Sequence, residues 1–319
     1  MPGRLTIWFA TSSIALLSGC ASNVGQMIAD LERFDSSIEL ADTPFHSQVT
    51  DQCGPAALAT ILNVVDVEVR PDELRSRIYI PERQGSLQLE LLATTRHYRR
   101  IPYSIDSNVT ALLEELQSGR PVLILQNLGA KRFPIWHYAV VVGYLPEDKE
   151  FVLRSGDKKR HLMGSRSFLR AWQRANYWGI VALRPDDLPA NAVAEKYLRS
   201  VAAVESVGDA ATAVSAYRAA TNRWPQNGLA WLGLGNSSYA NGELDAAGNA
   251  YQTLIAIEPD NAIALNNLSQ VYVDQGCHDQ ALATINTALA IVEIGDPIHS
   301  YLRQTLEDIE MRDSTELCL

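Results

Sequence analysis

Two textures of apolar and polar positions divide the chain. Between residues 41 and 185 the apolar runs are short and change period. Cys53-Gly54-Pro55-Ala56-Ala57-Leu58-Ala59-Thr60-Ile61-Leu62 is apolar with helical spacing, and predicts a helix that starts on a cysteine. Further helices are expected over 85–98 and 109–118. Val122–Gln126, Tyr138–Tyr144, Glu150–Arg154 and Tyr177–Leu183 read as strands. Helices followed by a run of strands predict an α+β domain over 41–185, with a short linker at 186–193.

Beyond residue 194 the pattern repeats. Gly208, Gly242 and Gly276 are spaced by 34 residues, and the same period links Ala213, Ala247 and Ala281, then Tyr217, Tyr251 and Ile285. Ala220, Leu254 and Ala288 follow it, as do Tyr197, Trp231 and Leu265 ahead of the glycines. Small alanines let two helices approach, larger residues fill the gaps, and glycine permits the turn between them. The pattern resembles the tetratricopeptide repeat. It implies an all-α solenoid over 194–311, with three units and a capping helix, and a protein partner bound through the repeats.

Charge and composition narrow the function. The chain has 319 residues, 47% hydrophobic and 20% charged, as soluble globular proteins do. A formal charge of -10 gives no basic face for nucleic acid, so none is expected as a partner. Arg4 precedes an apolar run over 7–17, of signal-peptide length and short for a membrane span. It ends in Leu17-Ser18-Gly19-Cys20, which resembles the bacterial lipobox. The resemblance implies a signal peptide over 1–19, lipidation at Cys20 and a tether over 20–40. Ala21 then implies an outer-membrane lipoprotein facing the periplasm.

Four cysteines are too few for a disulfide scaffold. Cys277 and Cys318 are a possible pair in an oxidising compartment. Cys53 stands apart, because a helix N-terminus favours the thiolate through unpaired N–H groups and the helix dipole. A nearby imidazole would complete an activated nucleophile. His137 is the candidate base, at the start of His137-Tyr138-Ala139-Val140-Val141-Val142-Gly143-Tyr144. Taken singly, each residue is better explained as part of a core.

Together with Gln48, five residues before Cys53, these motifs resemble the bacteriocin-processing peptidases and their papain-like relatives. The resemblance implies a cysteine peptidase that cleaves a peptide or protein after small residues such as a Gly-Gly pair. It makes Cys53 the nucleophile and His137 the base, with Gln48 and the Cys53 N–H stabilising the oxyanion. Gln52 is a second candidate for that role. Family members place Asp or Asn at the end of the next strand, where this chain has Ser155, with Asp157 two residues on. Ser155 fits the alignment and Asp157 the chemistry. A scaffold that binds peptides without cleaving them, and a thiol amidase or transpeptidase, are the alternatives. His46, His97, His161, His278 and His299 lack ligand spacing, and no phosphate-cradling glycine motif occurs, so neither metal nor cofactor is expected. Trp136 either lines the cleft or packs the sheet edge, and Trp172 and Trp178 are expected in the core. The Arg96–Arg100 and Lys158–Arg160 clusters are expected as solvated charge.

Overall fold

The structure is a computed structural model and describes residues 23–47, 52–83 and 85–312. Cys20, Gln48 and Cys318 lie outside these residues. In chain order the first part contains α1 (Asn23–Leu31), β1 (Ile38–Glu39), α2 (Cys53–Val64), α3 (Pro71–Ile78), β2 (Tyr79–Ile80), β3 (Gly85–Ser86), α4 (Gln88–His97), β4 (Ile101–Ser104) and α5 (Val109–Gln117). There follow β5 (Val122–Asn127), β6 (Trp136–Leu145), β7 (Glu150–Ser155), β8 (Lys158–Gly164), α6 (Ser165–Gln173) and β9 (Gly179–Leu183). The domain is α+β, as its pattern predicts.

Seven strands form one antiparallel sheet in the order β4-β9-β5-β6-β7-β8, with β1 continuing the β5 edge of β6. Period-two alternation along β6 divides the core into two layers. Tyr138, Val140 and Val142 face Leu58, Ile61 and Leu62 of α2, together with Leu74, Ile78 and Leu91. Ala139 and Val141 join Phe151 and Leu153 under α1, α5 and α6, where Phe168 and Trp172 are fully buried. Trp172 is thus in the core as expected, and Trp178 packs at the rim of the other layer against Tyr138.

Several elements differ from the expected pattern for local reasons. The stretch 85–98 does not begin as helix, because Gly85 pairs with Ile80 and Leu87 is extended before α4 starts at Gln88. Strand β9 starts at Gly179 and not at Tyr177, since Asn176 and Tyr177 both take left-handed backbone at φ 54. Residues 23–39, expected as part of a tether, fold onto the domain. Val24, Met27 and Leu31 of α1 are buried, and Ile38 and Glu39 pair with Tyr144 and Gly143. The Lys158–Arg160 cluster lies on the exposed edge strand β8, where Arg160 clasps Glu39 at 2.9 Å.

Seven helices follow: α7 (Ala194–Glu205), α8 (Ala210–Arg223), α9 (Gly228–Ala240), α10 (Leu244–Ile257), α11 (Ala262–Asp274), α12 (His278–Ile291) and α13 (Pro297–Glu310). Gly208, Gly242 and Gly276 take φ +84, +79 and +75, left-handed values that release the first helix of each pair into its turn. Asn227 and Asn261, again 34 apart, cap the next helices by accepting from Ala230 N and Ala264 N. Cys277, buried at the start of α12, is disulfide-bonded. The solenoid is not separate from the sheet. Tyr197, Val201 and Val204 of α7 share one apolar cluster with Ile101 and Tyr103 of β4.

Candidate active site

Cys53 is the first residue of α2, is half-buried, and is a thiol outside any disulfide. No acidic residue lies in the first turn of α2, and the preceding Gln52 makes no side-chain cap. The partial positive charge of that helix end is therefore not offset by the helix's own side chains. The helix behind Cys53 is buried from Gly54 through Leu62, which fixes its axis against the sheet.

Gly54 explains how tightly that end is seated. A Cβ placed on it would stand 2.6 Å from Ser86 Oγ and 3.6 Å from the Tyr138 ring. Only glycine leaves room for β3 and the start of β6 to close over the helix. The Tyr138 hydroxyl in turn donates to Ser86 O at 3.2 Å. The residue after Cys53 thus packs close to Ser86 and the Tyr138 ring, and α2 lies against β3 and β6.

His137 is paired in register with Gln126 of β5, just inside the end of β6. Its Nε2 lies 2.8 Å from Ser155 Oγ, at the end of β7. Strand β7 reaches that position through a register shift between Leu153 and Ser155. Of the two expected partners, Ser155 meets the ring. Asp157 stands exposed in the turn to β8, where Gly156 at φ +60 is the first central residue. Burial holds the His137 imidazole below the usual histidine range, and charge on His161 pushes the same way. His161 was not singled out by spacing. It reaches the site because β8 pairs with β7, placing His161 opposite Leu153.

His46, the one histidine that precedes Cys53 in the sequence, is bound elsewhere. Its Nε2 lies 2.7 Å from Asn63 Oδ1 near the far end of α2, roughly 15 Å along the helix from Cys53. Arg154 is a second group that spacing missed. It is buried, and its guanidinium donates to the carbonyls of Leu40, Ala41, Thr43 and Lys159. It therefore fixes the backbone shortly before the segment that leads into Cys53. Among the described residues no cluster of three metal-ligating side chains occurs.

Residues 40–180 match the model of the Peptidase_C39 like family, and residues 235–276 match that of the TPR repeat. Among solved structures, a Bacillus anthracis protein described as a C39-like peptidase is 16% identical. That likeness covers 47% of this chain and 98% of that one, at a TM-score of 0.42. The Yersinia enterocolitica type III secretion translocator chaperone SycD is also 16% identical, over 37% of this chain and 83% of its own, at 0.35. The Sgt2 TPR domain of Aspergillus fumigatus is 15% identical over 37% and 76%, at 0.34. No curated protein matches the chain. The matches fall on the two folded parts: the α+β domain carries the similarity to the Peptidase_C39 like family, and helices α9–α11 carry the similarity to the TPR repeat.

Proposed function

We propose that the chain is a cysteine peptidase in which Cys53 is the nucleophile, His137 the base and Ser155 the group that positions the ring. The observation that carries the reading is the His137–Ser155 hydrogen bond, on a strand that packs against the helix headed by Cys53. With Nε2 held by Ser155, Nδ1 is the ring atom left for the thiol. His137 takes the proton from Cys53 Sγ as sulfur adds to the carbonyl carbon. The C–N bond then breaks, the amine leaving with that proton, and water releases the acyl group as a carboxylic acid and restores the thiol. Burial disfavours the imidazolium and holds the resting ring toward its neutral, proton-accepting form. Gln48 is assigned to the oxyanion by resemblance, with the Cys53 N–H.

The substrate in this reading is a peptide or protein cut after small residues, recruited or oriented by the repeats. The chain is held to a bacterial envelope membrane through lipid on Cys20, facing the periplasm. Substituting Cys20→Ala then moves the protein from the membrane fraction to the soluble one, and an unchanged distribution overturns the anchor.

A non-catalytic scaffold has one observation in its favour, a hydroxyl where the family pattern has a carboxylate or carboxamide. Alkylation separates the two. Iodoacetamide is expected to modify Cys53 at least tenfold more slowly in His137→Ala. A rate indifferent to His137 leaves only the scaffold. Peptides that accumulate in envelopes carrying Cys53→Ala then identify the substrate.

A further inference from the structure

The loop between β5 and β6 spends apolar surface on solvent right beside the candidate base. Leu128 is 47% exposed, Phe133 75%, Ile135 61% and Trp136 54%, and Trp136 immediately precedes His137. A contiguous apolar display of this kind marks a surface that is covered in use.

The loop is also built to hold its shape. Asn127 Oδ1 accepts from Gly129 N and Ile135 N, both at 3.0 Å, and Leu128 N donates to Ile135 O at 2.8 Å. Arg174 donates through Nε and Nη2 to Asn127 O at 2.9 and 2.7 Å. A Cβ on Gly129 would overlap the Phe133 carbonyl oxygen, so the backbone crosses itself closely there. Side chains on such a frame lose little further freedom when covered.

We propose that this loop is the specificity surface for the part of the substrate on the C-terminal side of the scissile bond, and that it selects apolar side chains there. The inference rests on the peptidase reading above. The group that hands a proton to the leaving amine must face that amine, so the departing half of the peptide runs from His137 past the start of β6 toward the loop that precedes it. Trp136 is the first residue of β6, and Ile135 and Phe133 lie in that loop. At the tip, Lys131 and Arg132 add two exposed cations to a chain of net charge -10. They fit an acidic side chain or a free carboxylate beyond the apolar residues.

The experiment uses pairs of peptides with one fixed N-terminal half and either leucine and phenylalanine or serine at the first three positions after the cut. The full chain is expected to cleave the apolar member with kcat/KM roughly tenfold higher. Phe133→Ser and Trp136→Ser bring that ratio toward one, while Ile294→Ser, at an even more exposed apolar position in the repeats, leaves it unchanged. The Cys53→Ala chain, which does not cleave, is expected to bind the apolar peptide about tenfold more tightly, a preference lost on adding Phe133→Ser. Cleavage without apolar preference, or a preference indifferent to both loop variants, overturns the inference. So does a loop whose substitution leaves peptide selection intact while abolishing dimers in sedimentation or binding to phosphatidylglycerol vesicles. Apolar selection in binding by Cys53→Ala, with no cleavage by the parent chain, overturns the peptidase reading alone.

Discussion

His137 sits between two influences that set its protonation. Burial and the neighbouring His161 both favour the neutral ring, while Ser155 supplies orientation without negative charge. The acid limb of kcat/KM, which reports the free enzyme, is therefore expected below the ordinary histidine value of about 6.5. His161→Gln removes one depressing charge and moves the limb upward. Ser155→Asp moves it further, by placing a carboxylate against the imidazolium. Ser155→Ala leaves the limb near its wild-type place but lowers kcat/KM by roughly tenfold through loss of the tautomer hold. A wild-type limb above 6.5 would mean that a resting thiolate–imidazolium pair outweighs burial. The same depression gives a stability term present above pH of about 6.5, and lost as acid forces a proton onto the buried ring. Of the candidate site, Cys53 and His137 stood out in the sequence at a helix start and a strand start, while Ser155 and Asp157 were alternatives that only the geometry at the end of β7 separates. His161 and Arg154 were not, since their roles come from strand register and from carbonyls more than a hundred residues away.

At the scale of elements, legibility followed periodicity. The repeats were readable because a fixed 34-residue spacing places glycine in each left-handed turn. Strand β8 was not, because its edge position leaves Lys158, Lys159 and Arg160 exposed and gives no apolar run. Helix α1 was hidden in the stretch assigned to a tether, although Val24, Met27 and Leu31 recur at helical spacing. Helix α9 shows what the repeat pattern left unsaid. Cβ atoms on Gly233 and Gly235 would overlap the rings of Tyr217 and Tyr251, so two tyrosines clamp this helix from its neighbours. Their hydroxyls donate to Glu205 and Asn236 at 3.0 and 2.8 Å, which locks the rings in place. Gly235→Ala gains up to about 1 kcal/mol of helix propensity. Overpacking against a held ring costs about 1–3 kcal/mol. The expected result is a net loss of about 1 kcal/mol in urea unfolding of the full chain. A stabilised variant would show that Tyr251 moves aside freely.

The two parts of the molecule meet through a junction that behaves as core. Tyr197, Leu198, Val201 and Val204 pack with Ile101 and Tyr103, and the Tyr197 hydroxyl donates to Asp187 O at 3.2 Å. Ala190 N donates to Glu115 Oε1 at 2.9 Å, tying the connecting segment to α5. Lys196 pairs with Asp106 while its ammonium lies 5.0 Å from the Tyr103 ring centre. These charged contacts are partly exposed, so they set orientation more than stability. The apolar contacts carry the coupling. Burying three or four such side chains is worth about 1.5–3 kcal/mol each, a large share of a typical domain's margin. A chain ending at residue 190 would bare Ile101 and Tyr103 on one edge of the sheet. It is expected to melt several degrees lower than the full chain and to bind 8-anilinonaphthalene-1-sulfonate strongly. The full chain is expected to lose the near-ultraviolet signals of both parts in one transition. Equal melting temperatures, with no dye bound by the shorter chain, would make the repeats an appendage. The expected loss would instead make them part of what holds β4 and the sheet behind the candidate site.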